Sequence, residues 1–553
     1  MPALNTQPTG CLQQVSSVAL FLAVLDTVYH LVFHALPLTT LVLTVALESL
    51  AFTTVFFLGQ SAQLTRITLA YLTLPYLLFL PFWLNTAAAT LMMTAFIVVW
   101  HFVWKLASPV AFVSHAVTNS TRSQPVSMQA LLVFLGLLVW VNLSGVGGYG
   151  FQTPDHGMHN GRLKDLIDYP WPVRYSENAN LVYYVGYYLP AAALGKLFGH
   201  DIAIRSMLPW TLMGVTLAFR WLCVLANQRP SLMLVALFVL FGPQDIIGVI
   251  IAAFFNNNIT HDFSQWSFWE NTDDMDFWVS PAMPFFLGNF LSNTFQLYWA
   301  PHQIVAGWLS AALALQSFQT RKTTLLIFSY ALLCLWSPTA MLALFPLILS
   351  ITVLNLRHDF AGLFSFPNLF AVVLLTPLFL IFYTSGSALS NPYHWTAAEL
   401  RPGQWLLFGL FHLLTWGLYL ISCLPFLRHQ PSREQWLAGI VVANFCLLSL
   451  LVYGEWSDLI CRGAAPLSFC LFVMVLRAGD HYLHSGRNGL SLMLTLCLLA
   501  GSGSALLQNR NAFLRYGETE RAIRGDQYSL SYQFLGPDDS RFGHYLRKPL
   551  SHK

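Results

Sequence analysis

Leu181–Phe198 reads LVYYVGYYLPAAALGKLF, and whether it crosses a bilayer or lies along one decides the topology of the whole chain. Its setting is apolar. Of 553 residues, 56% are hydrophobic and only 9% charged, against roughly 25% charged in a water-soluble domain. Too little polar surface exists to coat a soluble globule, so the expected fold is all-α, a polytopic transmembrane helical bundle. A membrane helix needs about 20 apolar residues, and about fifteen stretches qualify. They lie near 15–35, 40–58, 67–84, 86–105, 128–145, 203–226, 231–253, 303–319, 323–338, 339–354, 366–384, 405–427, 435–453, 464–480 and 489–507. Trp336-Ser337-Pro338 interrupts the long run 324–354. Proline removes a backbone donor, so a helical hairpin is expected there.

With Leu181–Phe198 left out of the spans, the charges segregate. Arg66, Lys105, Arg122, Arg229, Arg321, Lys322, Arg357, Arg428, Arg433 and Arg487 fall on one side. Asp155, Asp165, Asp168, Glu177, Asp262, Glu270, Asp273, Asp274, Asp276, Glu455 and Asp458 fall on the other. The positive-inside rule puts the first set in the cytoplasm and the second outside. Counting Leu181–Phe198 as a span would scramble that pattern. Its four tyrosines, central proline and marginal length suit an interfacial helix. The first apolar stretch lacks a basic n-region and is expected to be a retained span, with a removed signal peptide as the alternative.

The expected organisation is additional N-terminal helices over 1–127, then a core over 128–354 with external loops 146–202 and 254–283. C-terminal helices follow over 355–507, and a polar external tail over 508–553. That tail carries eight basic and five acidic residues, a mild departure from the charge rule, which is strongest for short loops. A net charge of +3 is too small for a polyanion-binding surface, so no nucleic-acid partner is expected. Eight scattered cysteines show no CxxC or CxxH spacing, which argues against a disulfide framework or zinc site. P-loop, Rossmann and HExxH motifs are absent from the sequence.

The chemistry is concentrated in Gly147–Tyr175, GGYGFQTPDHGMHNGRLKDLIDYPWPVRY. Gly147 and Gly148 permit a sharp exit from the preceding helix. His159–Asp168 suits a short amphipathic helix with Leu163, Leu166 and Ile167 on one face. Asp155 near its start, beside His156 and His159, suits a general base or a metal ligand; solvated loop charges are the plain alternative. Asn256–Asp276 holds Asp273, Asp274 and Asp276. That run is either a solvated acidic loop or a site for a divalent cation such as Mg²⁺ or Mn²⁺. Asn289–Gln303 places Gln296 and His302 at membrane depth, lining a cavity or bonding helix to helix. In Tyr453–Arg462, Asp458 and Arg462 stand at i,i+4 and suit an ion pair, or else Arg462 meets an anionic ligand. Arg401 is its rival.

This order of elements resembles the GT-C superfamily, polytopic glycosyltransferases that use polyprenyl-phosphate-linked sugars. The matching parts are Asp155 in TPDHGMHN, the LKDLIDYPWPV helix, YYLPAAALGKLFG, and the span ending at Arg229. About 80 residues carry the likeness, within uncertain helix bounds. It implies an inverting transfer from a polyprenyl-phosphate sugar at the external face of a bacterial inner membrane. Asp155 would be the base. His156, His159, Asn160, Trp171, Gln296, His302, Arg401, Asp458 and Arg462 would form the candidate substrate-binding set. A transporter or flippase of a lipid-linked or amphipathic substrate is the alternative. It is disfavoured because the ionisable residues gather in loops and no internal repeat appears.

Overall fold

A computed structural model of the chain describes residues 61–106, 128–176, 179–244, 290–386, 393–395, 404–453, 458–518, 535–537 and 539–548. The expected spans near 15–35 and 40–58, the acidic run with Asp273, Asp274 and Asp276, and Arg401 lie outside these residues.

In chain order the helices begin with α1 (Ser61–Trp83), α2 (Thr86–Leu106), α3 (Met128–Leu143) and α4 (Asp155–Asp168). Strands β1 (Arg174–Ser176) and β2 (Ala179–Leu181) precede α5 (Leu189–Phe198), α6 (His200–Ala226) and α7 (Leu232–Leu240). Then come α8 (Asn293–Trp299), α9 (Pro301–Thr320), α10 (Leu326–Ala331), α11 (Pro338–Leu363) and α12 (Phe366–Thr384), the last with a π-turn at Ala371–Leu375. After β3 (Tyr393–Trp395), α13 runs from Gln404–His412 through a π-turn at Leu413–Gly417 into Leu418–Leu427. The remainder is α14 (Ser432–Leu448), β4 (Leu451–Tyr453), the single turn α15 (Asp458–Cys461), α16 (Ala465–His484), α17 (Asn488–Gly501), α18 (Gly503–Leu514), β5 (Leu535–Gly536) and α19 (Arg541–Tyr545).

Seven described helices are long and apolar enough to cross a membrane, or eight if α17 and α18, bent by 42°, count as one. Strands among the described residues are two or three residues long. The chain is therefore an all-α membrane protein. Burial supports this directly. Helices α6, α9 and α16 form the centre and are packed on nearly every side. Peripheral α11 instead turns Leu342, Phe345, Leu349 and Val353 outward, at spacings that line up on one face. A large apolar face on the outside of the bundle inverts the pattern of a water-soluble helix and suits contact with lipid.

The interruption at Trp336-Ser337-Pro338 is real. A 3-10 segment, Leu332–Leu335, ends there, the Ser337 hydroxyl accepts from the Ala340 amide, and Pro338 starts α11. Proline at that position has a preset φ and no donor to waste. Elsewhere the expectation gives way. Leu181–Phe198 is not one interfacial helix: Leu181 ends a strand, the tyrosine run is irregular, and only Leu189–Phe198 is helical. Ten residues are too few to cross a bilayer. Tyr183, Tyr184, Tyr187 and Tyr188 are all buried, so they serve the interior and not an aromatic belt. Gly186 allows the run to pass the 3-10 segment, since its amide donates to the Leu335 carbonyl at 3.0 Å. A Cβ there would sit 2.8 Å from that oxygen. The span expected near 231–253 is helical only over Leu232–Leu240 among its described residues; the chain is extended at Phe241, and Gly242 abuts the Gly501 carbonyl.

At one end of the bundle, β1, β2 and β5 form an antiparallel sheet with β2 central. The tail thereby joins the segment that follows α4. The Lys548 amide donates to the Trp83 carbonyl, and Arg547 donates to Asn180 at 2.8 Å.

Candidate functional site

The site is built on the start of α4. After α3, the chain turns through Gly145, Gly147 and Gly148, all at positive φ, a region costly for side chains other than glycine. Arg205 of α6 donates to the Gly147 and Gly148 carbonyls at 3.0 and 2.8 Å. Gln152 donates to the Gly145 carbonyl, and Asn160 to the Gln152 side chain. Thr153 is tied to the Tyr298 carbonyl of α8 at 3.2 Å. Pro154 then leads into α4, so Asp155 occupies its first turn, where the helix dipole favours a carboxylate.

Asp155 meets Arg462, a residue remote in sequence. Arg462 directly follows α15, and its Nη2 lies 3.7 Å from Asp155 Oδ2. Its Nε lies 3.4 Å from Asp458 Oδ1, the expected i,i+4 pair. Both contacts exceed ordinary hydrogen-bond length, so the guanidinium is shared loosely between two carboxylates. Each of the three side chains keeps about a fifth to a quarter of its surface exposed. Burial pushes the Asp155 carboxyl above its usual 3.8, Arg462 and Arg162 pull it back, and Asp458 adds to the rise. A carboxylate shifted upward is a better proton acceptor near neutral pH.

Behind this pair, α4 buries His156, His159 and Arg162 on one side. His156 is held by Thr153 through Nδ1 at 3.1 Å, while its buried Nε2 has no hydrogen-bond partner. Burial lowers its pKa to about 4, so the ring is neutral. His159 bonds the Tyr188 hydroxyl at 2.7 Å and the Trp299 carbonyl at 2.8 Å. Its two ring nitrogens are thus both engaged within the protein. Arg162 is only 5% exposed, its guanidinium lies 3.8 Å above the Tyr183 ring, and its Nε has no partner. Tyr183 stacks on Tyr184 at 3.9 Å, and Tyr184 on His302 at 5.4 Å.

The remaining expected residues divide by surroundings. His302 joins this column, with Nδ1 lacking a partner. Gln296 faces its own helix start, donating to the Leu291 carbonyl. Trp171 donates to the Leu166 carbonyl and packs against Phe82 and Trp83, bracing the end of α4. Arg162, Tyr183, Tyr184 and Tyr188 were not among the expected site residues, whereas Gln303 belongs to the polar run expected at membrane depth. Gln303 accepts from Ser337 and Thr339 and donates to Tyr184, tying the break before α11 to the tyrosine run.

No group of three His, Cys, Asp or Glu among the described residues is placed to hold a metal ion. Chemically, the arrangement offers a proton acceptor beside two guanidiniums, only one of which is paired with carboxylates. That combination suits removal of a proton next to an anionic group. No family model matches the chain, and neither does any curated protein or solved structure.

Proposed function

We propose that the chain is an inverting membrane glycosyltransferase of the GT-C type, with about fifteen spans and its site at the external face of a bacterial inner membrane. It moves a sugar from a polyprenyl-phosphate donor to an acceptor hydroxyl. The observation that carries this reading is the approach of Asp155 to Arg462 at 3.7 Å, with Arg162 close enough to act electrostatically on the same carboxyl. A base and two cations are what the reaction needs at one place.

Asp155 accepts the proton of the acceptor hydroxyl as its oxygen bonds to the anomeric carbon. On the opposite face the carbon–oxygen bond to phosphate breaks, and the electron pair stays on the phosphate oxygen. The phosphate therefore gains one negative charge as Asp155 loses its own. Arg462, released from a neutralised Asp155, is then free to meet the new charge. Preorganised cations aimed at developing charge are an effective form of transition-state stabilisation.

One helix supports this orientation. In α9, His302 stands at the start and Arg321 just beyond the end, separated by about 30 Å of helix. A site at the end away from that arginine agrees with an external site under the positive-inside rule.

The test is sugar transfer in proteoliposomes supplied with labelled polyprenyl-phosphate sugars. Wild type should release labelled sugar to an acceptor, and Asp155→Asn should not. Full transfer by that variant would refute the assignment of the base. Movement of intact donor across the bilayer without cleavage would instead identify a transporter.

A further inference from the structure

Resting on that reading, we infer that His159 and Tyr188 are positioning residues that hold Arg162 as the anchor for the donor's phosphate. A backbone carbonyl can only accept, so His159 must donate from Nε2 to Trp299 across the 2.8 Å contact. Burial holds the His159 pKa well below 6.5, so the ring is neutral and carries one proton. Nδ1 is then an acceptor, and the Tyr188 hydroxyl must donate to it across 2.7 Å. With its single proton committed, Tyr188 can offer only lone pairs to Arg162, whose charge acts on it. The chain runs in one direction, from Arg162 through Tyr188 and His159 to the Trp299 carbonyl.

Two further features say what Arg162 awaits. Its guanidinium is fixed in plane by the Tyr183 ring below it at 3.8 Å, and its Nε stays buried without a partner. A planar, oriented guanidinium with an unspent donor matches phosphate oxygens better than a point charge would. A sugar phosphodiester carries one negative charge, and among the described residues of this site Arg162 is the cation not already paired with carboxylates. Arg462 meets Asp155 and Asp458 instead.

The experiment measures binding of farnesyl phosphate, farnesol and phosphatidylglycerol to the full chain purified in detergent, for wild type, Tyr188→Phe, His159→Gln and Arg162→Lys. Tyr188→Phe deletes the bond to His159 and the lone pairs offered to Arg162 while keeping the ring, and should weaken farnesyl phosphate binding about tenfold. The melting temperature should drop modestly, because the buried His159 Nδ1 loses its donor, but farnesol affinity should stay near wild type, a phosphate-selective loss that a merely structural role would not predict. His159→Gln carries the same test should Tyr188→Phe fail to fold. Arg162→Lys keeps the charge but loses the fork, and should bind no better than Tyr188→Phe. If wild type prefers farnesyl phosphate to farnesol but Tyr188→Phe binds it unchanged, the positioning role is wrong and the proposed function stands. If wild type shows no preference for the phosphate, both fall. Equal competition by phosphatidylglycerol would overturn the assignment to the donor, making the anchor a headgroup site.

Discussion

Arg462 reaches two carboxylates at once, Asp458 at 3.4 Å and Asp155 at 3.7 Å, and neither contact is short enough to hold it fast. A cation shared in this way couples the protonation of Asp155 to whatever anion lies beside it. Its own turn supplies one partner, and α4, remote in sequence, brings the other. Loss of either partner therefore changes what the other can do.

Asp155→Asn separates chemistry from binding. On the proposed function, in which Asp155 is the base, transfer should fall by about 10²–10⁴. Farnesyl phosphate, a dianion like the released lipid, should bind about two- to fivefold tighter, because Arg462 no longer divides its charge. Single-turnover transfer and direct titration of the lipid read the two effects. Weaker binding in the variant would show that Arg462 does not serve the phosphate.

The pH dependence of stability follows from the same carboxyl. Burial raises its folded-state pKa above 3.8, so the fold favours the protonated form. That contribution is complete below pH about 4 and is lost as pH rises through the raised value. Asn mimics the protonated state. Asp155→Asn should therefore melt with wild type in acid and above it near neutral pH, as thermal scans across that range would show. Transfer, which needs the ionised form, should rise with pH over the same window.

Arg462→Ala should reduce transfer by about 10²–10³, and it should also move the acid limb of the pH profile. Arg462 is the strongest influence lowering the Asp155 pKa. Removing it lets burial and Asp458 push the carboxyl higher, so the limb shifts toward alkaline pH. Arg462→Lys should restore the limb more fully than the rate, since it returns the charge without the planar fork. An unmoved limb in the alanine variant would separate Arg462 from Asp155.

Much of this site could be read locally, because local spacing encodes it. The helix expected over His159–Asp168, which the structure extends back to Asp155, the Asp458–Arg462 pair and the break before Pro338 each follow from residues within a turn or two of one another. Arg162 could not be found that way. What makes it distinctive is the Tyr183 ring beneath it and the Tyr188–His159 chain beside it, and these depend on a non-helical strand of tyrosines crossing behind α4. Four tyrosines in an apolar run carry the same composition whether they face a headgroup layer or a buried guanidinium. The difference lies in Gly186, whose missing side chain lets that run press against Leu335. The Gln303 network joins distant residues too, since its partners come from two other segments, Tyr184 in the tyrosine run and Ser337 and Thr339 around Pro338.

Gly186→Ala tests that hinge of the architecture. An added methyl would lie 2.8 Å from the Leu335 carbonyl oxygen and 3.2 Å from the Leu335 Cγ, closer than real contacts allow. The obstacle is backbone and cannot rotate aside, so the tyrosine run must shift. The cost expected for such overpacking is about 1–3 kcal/mol, seen as a lower melting temperature in detergent. Because the run also carries Tyr183 and Tyr188, farnesyl phosphate affinity should fall together with stability. In Gln303→Leu, by contrast, the buried Ser337 and half-buried Thr339 hydroxyls lose their acceptor, and stability should drop by about 1–3 kcal/mol with Arg162 still in place. A Gly186→Ala protein that melts and binds like wild type would show that the tyrosine run does not depend on this close approach.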